Sequence, residues 1–247
     1  MNQSFYIGAV GAQQQQRHMA VRGNNIANVN TYGFKAEKSR FEALMYRDMR
    51  GITKDLPAGV GTRMFMTSTD FNPGGVATTN RFTDYMIEGD GFFAVVDLAT
   101  NDVTYTRSGG FSIAELEEDT GAVDENGDPI METVQYLSDG EGRFVLSTEG
   151  GLIRVEDHES MLPVGIFDFN NYNGMEHVGD TKFRNIEKNG DLYIGTGRLV
   201  QGALELSNAD LAEEVTKVIE AQRAYGMALR MVQVSDEIET TINGLRG

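Results

Sequence analysis

The stretch that most constrains this chain is its C-terminal end, Ser207 to Gly247, which runs without a proline. Apolar or bulky positions fall at Leu211, Val215, Val218, Gln222, Tyr225, Leu229 and Val232, stepping by four and three as a heptad seam does. A second seam lies on a neighbouring face, at Ala224, Ala228, Met231, Ser235, Ile238, Ile242 and Leu245. Ser207 or Asn208 can cap the first free N–H groups, and Asp210, Glu213 and Glu214 crowd the positive end of the macrodipole. Gly244 and Gly247 allow a stop. The spacing predicts a helix of about 35 residues, roughly 50 Å long. One seam can be covered within the chain, whereas two on different faces call for further partners. The N-terminus carries a counterpart: Phe5, Ala9, Ala12, Gln16, Met19, Gly23 and Ile26 repeat the same step, and Gln13 to Gln16 keep the helical period. Its small residues would let a partner helix approach closely.

The N-terminal helix runs into Asn24, Asn25, Asn28 and Asn30, whose side chains bond their own main chain and tolerate left-handed backbone. They end the helix and shape a turn in which Gly33 can take a positive φ and Phe34 gives an apolar anchor. Residues 36–83 read as a connector. Glu37 to Met49 has helical potential; glycines and prolines then cut the chain into short extended pieces, and Arg63 to Thr69 alternates as a strand or hairpin arm. Residues 84–202 hold 17 of the 29 glycines, between short apolar runs such as Tyr85–Ile87, Phe92–Val96, Val103–Tyr105 and Leu192–Ile194. That pattern predicts an all-β body, Greek-key or barrel-like. The expected fold is therefore α+β and discontinuous. An inner domain (1–35 plus 201–247) pairs the two long terminal helices in coiled-coil fashion, a connector occupies 36–83, and a β-rich outer domain is inserted at 84–200.

Charge and composition exclude several function classes. A formal net charge of −16 argues against a nucleic-acid partner and leaves no polybasic membrane patch. The absence of cysteine removes disulfides and thiolate metal sites. Met1 to Gly11 has no basic region before an apolar core, so no ordinary secretory signal is read, and no apolar run is long enough to span a bilayer.

Nor does a catalytic, metal or cofactor site emerge. Asp124-Glu-Asn126-Gly-Asp128 spaces the first EF-hand ligands, but Pro129 stands where glycine is needed and Gln135 where a bidentate glutamate is. His18, His158 and His177 share no ligand spacing, and Gly195-Thr-Gly197-Arg198 lacks the lysine and helix of a phosphate loop. Acid pairs such as Glu117-Glu118 and Glu156-Asp157 read as acidic turns, and no G-x-S-x-G is present.

Four stretches carry a family resemblance. The first runs from Asn24 to Lys35, with Asn24, Asn28, Asn30, Thr31, Gly33, Phe34 and Lys35 as its marked positions. The others are Ile87-Glu-Gly89-Asp90-Gly91-Phe92-Phe93, Tyr105-Thr106-Arg107-Ser108-Gly109-Gly110-Phe111, and Gln201-Gly202-Ala-Leu-Glu205-Leu-Ser207-Asn208 with Gln222-Arg223-Ala-Tyr225 inside the last helix. Together they resemble the bacterial flagellar rod and hook axial proteins over residues 1–45, 79–111 and 201–245. The resemblance implies a rod subunit of the basal body, outside the cytoplasmic membrane. It implies assembly with copies of itself, with other rod proteins and with the hook protein into a hollow helical shaft, after passage through the flagellum's own type III export apparatus. It implies no cofactor. A hook subunit is the near alternative, although the short middle of this chain favours the rod. A β-rich enzyme with an oligomerising helix would need a carboxylate pair in a pocket. A generic coiled-coil module leaves Asn24–Lys35 unexplained.

Overall fold

The computed structural model describes residues 3–44, 47–49, 56–58, 61–123, 129–156, 160–179 and 181–245. They divide into two compact units: a terminal unit drawn from 1–29, 36–70 and 209–247, and a central unit from 30–35 and 71–208.

Among the described residues the terminal unit holds two long helices, α1 (Gln3–Ala27) and α2 (Leu211–Gly244). Asp210 caps α2, its carboxylate accepting from Ala212 N at 2.8 Å and Glu213 N at 3.3 Å, so the cap falls two to three residues later than Ser207 or Asn208. The coiled-coil-like inner domain is corrected: the fold is α+β, with one helix at each end of the chain and a β-rich middle, and no coiled coil of paired long helices is evident among the described residues. Most of the apolar residues that defined the two seams of α2 stand exposed, among them Leu211, Val215, Leu229, Met231, Ile238 and Ile242. The buried residues of α2 are Glu214, Ala221 and Ser235, and those of α1 are Gly8, Ala12, Gln14, Arg22 and Asn25. Contact runs through small and polar groups, as in the 2.9 Å hydrogen bond between the hydroxyls of Ser4 and Ser235. A Cβ on Gly8 would lie 2.9 Å from Val232 Cγ2.

Glu37–Ala43 is a strand, not a helix, and pairs antiparallel with Thr62–Thr69. Asn25 explains the difference. Its side chain donates to Glu37 O and accepts from Glu37 N, both at 2.9 Å, which holds the chain extended there. Beyond it, Arg47–Met49 pairs with Leu56–Ala58. In the longer ribbon the register slips between Arg40 and Phe41, so Phe65 is the extra residue of a bulge. Gln14 of α1 accepts from Met64 N at 2.9 Å on the same ribbon.

The central unit is built on a seven-stranded antiparallel sheet. Its order is Glu176–His177, Lys182–Arg184, Asp102–Thr106, Phe93–Asp97, Phe144–Val145, Pro129–Ser138 and Ser112–Val123. Alternate side chains of one strand feed opposite faces: Phe93 and Val95 pack with Tyr85, Phe111, Leu137 and Val145, while Phe92 and Ala94 pack with Tyr105, Phe167 and Phe183. Each such fully buried side chain contributes about 1.5–3 kcal/mol. Short pairs complete the unit: Tyr85–Glu88 with Arg198–Gln201, Val76–Thr78 with Ala203–Glu205, and Phe167–Phe169 with Leu192–Ile194. Glu117 and Glu118 lie in the strand Ser112–Val123, not in a turn, and Glu118 accepts from Tyr136 Oη and from Arg154 at 2.5 Å. Strong charge on a long edge strand is what made this hairpin read as acidic turns.

Candidate functional site

The resemblance-bearing segments of the central unit converge on one buried carboxylate. Glu205, at the end of the strand Ala203–Glu205, is 3% exposed and faces two buried cations. Lys35 Nζ donates to Glu205 Oε1 at 2.6 Å and to Asn72 O at 2.8 Å. Arg107 Nη1 reaches Glu205 Oε2 at 3.5 Å and Ile87 O at 3.4 Å, and its Nη2 donates to Gly89 O at 2.8 Å. The guanidinium sits over the Phe92 ring, 5.4 Å from its centroid. Gly74 N adds a third donor to the carboxylate, at 2.9 Å from Oε1. Buried charges persist only when paired and hydrogen-bonded; Glu205 is held on both oxygens, while Arg107 Nε is left without a hydrogen-bond partner among the described residues.

The turn 30–35 is docked onto the same place. Gly33 adopts φ +68°, and its N–H donates to Glu205 O at 2.8 Å. A Cβ there would stand 2.3 Å from Ser108 N, so the close approach as well as the left-handed backbone demands glycine. Phe34 is buried, and its carbonyl accepts from Asn208 N at 3.4 Å. Thr31 O accepts from Phe34 N at 3.3 Å, while Asn30 faces solvent. The glycines of the stretch 195–198, already set aside as a phosphate loop, are packing positions: a Cβ on Gly197 would meet Asp90 O at 2.5 Å and Ile87 Cγ2 at 2.6 Å.

In the terminal unit, Asn28 Nδ2 donates to Asn24 O at 3.0 Å and to Asn24 Oδ1 at 3.1 Å, closing the end of α1. Asn25, read from the sequence only as one of the asparagines that end the helix, is completely buried and donates to Glu214 Oε1 at 2.9 Å. Arg22 Nη1 holds both oxygens of Glu214, at 2.9 and 3.1 Å. These polar residues carry no apolar spacing, so periodicity passes over them. On α2, Val218, Tyr225 and Val232 are half-buried, Gln222 and Arg223 are exposed, and Leu211, Val215, Leu229, Ile238 and Ile242 are 40–52% exposed.

Other candidate positions are dispersed. Asp124 to Asp128, Asp157 and His158 lie outside the described residues. His18 accepts from Arg22 Nε at 3.1 Å, and His177 packs its ring edge-on to Phe183. Asp168 accepts from Tyr172 Oη at 2.5 Å and Tyr193 Oη at 3.1 Å; burial, reinforced by this bond, pushes the Tyr172 hydroxyl above its ordinary pKa of 10.

Comparison with known proteins matches three family models in chain order. They are the flagella basal body rod protein at 5–35, the flagellar hook protein FlgE/F/G D1 domain at 86–152, and the flagellar basal body rod FlgEFG protein C-terminal at 200–245. The flagellar basal-body rod protein FlgG of Buchnera aphidicola subsp. Schizaphis graminum is 31% identical, over 95% of this chain and 96% of its own. That of Borreliella burgdorferi is 30% identical over 100% and 99%. The flagellar basal-body rod protein FlgF of Caulobacter vibrioides is 27% identical over 96% and 95%. With identity of this order spread along nearly the whole of both chains, the chain belongs to the flagellar basal-body rod protein family.

Proposed function

We propose that this structural subunit of the bacterial flagellar basal-body rod joins its neighbours through the outward face of α2 and so assembles with copies of itself into the shaft. One observation carries the reading. Leu211, Val215, Leu229, Ile238 and Ile242 lie open on a 34-residue helix whose buried positions are Glu214, Ala221 and Ser235. A helix that leaves most of its large apolar side chains outside is built to be covered by something else. Contacts that repeat from subunit to subunit without closing generate a filament. Other rod proteins and the hook protein are the expected neighbours at the two ends of such a shaft, and the flagellar export apparatus is the expected route outward. The role is mechanical rather than catalytic, because Glu205, Arg107 and Lys35 are consumed in holding the fold together.

The test is to replace Ile238 and Ile242 by aspartate in the chromosomal copy. Cells are expected to lose motility and intact rods, while the purified variant keeps the near-ultraviolet spectrum of the native protein. Motile cells with normal basal bodies would falsify the assembly role of this face.

A further inference from the structure

His18 occupies a junction where three elements of the terminal unit meet, and its bonding there depends on its charge. Its Nε2 accepts from Arg22 Nε at 3.1 Å, so the ring is neutral, with any proton on Nδ1. The edge-on ring of Phe41, from the strand Glu37–Ala43, lies 5.2 Å away, centroid to centroid. Arg22 in turn holds Glu214 of α2, and Asn25 ties that same carboxylate to the backbone of Glu37. One acceptor nitrogen thus orients the arginine that ties α1 to Glu214 of α2 at this junction. We propose that His18 is an acid-operated release for this junction, its protonation withdrawing the acceptor from Arg22 and loosening the hold of α1 on α2.

The charged groups facing His18 are Arg22 on its own helix and Glu214, Lys217 and Glu220 on α2; the strand contributes the Phe41 ring. Two cations oppose two anions, and Lys217 is itself engaged by Glu220 at 3.3 Å. Burial of the ring is the largest influence and Arg22 the next, so the pKa lies below the ordinary 6.5 despite the attraction of Glu214. The unfolded chain then binds more protons than the folded one just below pH 6.5. Stability is full above that pH and declines as pH falls through 6.5 toward the folded pKa. Once charged, the imidazolium competes with Arg22 and Asn25 for Glu214, so the loosening is local to the junction.

The experiment uses the full chain between about pH 8 and pH 5, the range in which histidine changes charge. Ring NMR follows His18 directly, while amide exchange, corrected for its intrinsic pH dependence, follows residues 14–27 and 211–221. The native protein is expected to show His18 titrating below 6.5 and exchange at the junction rising severalfold toward the acid end. His18→Gln keeps a carbonyl acceptor that does not titrate and should flatten that rise. Equal acid loosening in His18→Gln, or a His18 ring titrating at or above 6.5, overturns the proposal. If the variant does not fold, the ring titration of the native chain decides alone.

Discussion

At the scale of single residues, Glu205 is the position on which most depends. It is one anion between two cations, Lys35 and Arg107, all three at 3% side-chain exposure or less. Removing Glu205 leaves two buried cations with only backbone carbonyls and no anion from this triad, whereas removing Lys35 leaves an anion still matched by Arg107. Glu205→Gln should therefore destabilise the central unit by about 3–5 kcal/mol, and Lys35→Met by clearly less. Urea unfolding followed by tyrosine fluorescence measures both, and a Lys35→Met variant as unstable as Glu205→Gln would reverse the assignment. Gly33 belongs to the same site. Its place after the asparagines predicts the positive φ that the structure shows, but nothing in the sequence foretells Ser108 pressed against it. Lys35 was legible as part of a motif and illegible as part of an ion triad. Its partners stand 72 and 170 residues away, and single charges in three separate segments have no periodicity to announce them.

At the scale of elements, α2 shows what patterning can and cannot deliver. The helix itself was legible, because no proline interrupts it and acids crowd its first turn. Which face it buries was not. Apolar spacing marks a stripe that wants cover, and in this unit the cover falls on a neighbouring stripe of small and polar residues anchored by Arg22 and Asn25. The strand Glu37–Ala43 misled for a related reason: its composition suits a helix, and the side chain of Asn25 overrides that weak preference. The cap gives the test proper to this scale. Asp210→Ala removes the acceptor for two first-turn N–H groups and should lower helix stability by about 1 kcal/mol. Faster amide exchange confined to the first turn of α2 is the expected reading; an unchanged first turn would show that the cap contributes nothing.

At the scale of the whole molecule, the two units are held together internally by different physics. The central unit has continuous apolar clusters on both faces of its sheet, with Phe92, Phe93, Phe111, Leu137 and Val145 essentially inaccessible to solvent. The terminal unit relies on an ion pair, amide and hydroxyl hydrogen bonds and close small-residue contacts, with apolar side chains left outside. Past Ser235, the last buried residue of α2, the side chains up to Leu245 are almost all exposed. Deleting Val232 to Gly247 therefore removes little that the isolated subunit buries, beyond the contacts of Val232 and Ser235, yet it takes away the exposed Val234, Ile238, Ile242 and Leu245. Buried against a neighbour, each of those side chains is worth up to about 1.5–3 kcal/mol, and the loss recurs at every subunit of an assembly. The truncated chain should keep native exchange protection in the strands Phe93–Asp97 and Asp102–Thr106, while cells carrying it fail to swim and yield no complete rods. A protein stabilised by that segment internally would show the opposite pattern, with protection lost in the purified chain. Truncated subunits recovered from intact basal bodies of motile cells would show that the outward face of α2 beyond Val232 is not where neighbours bind.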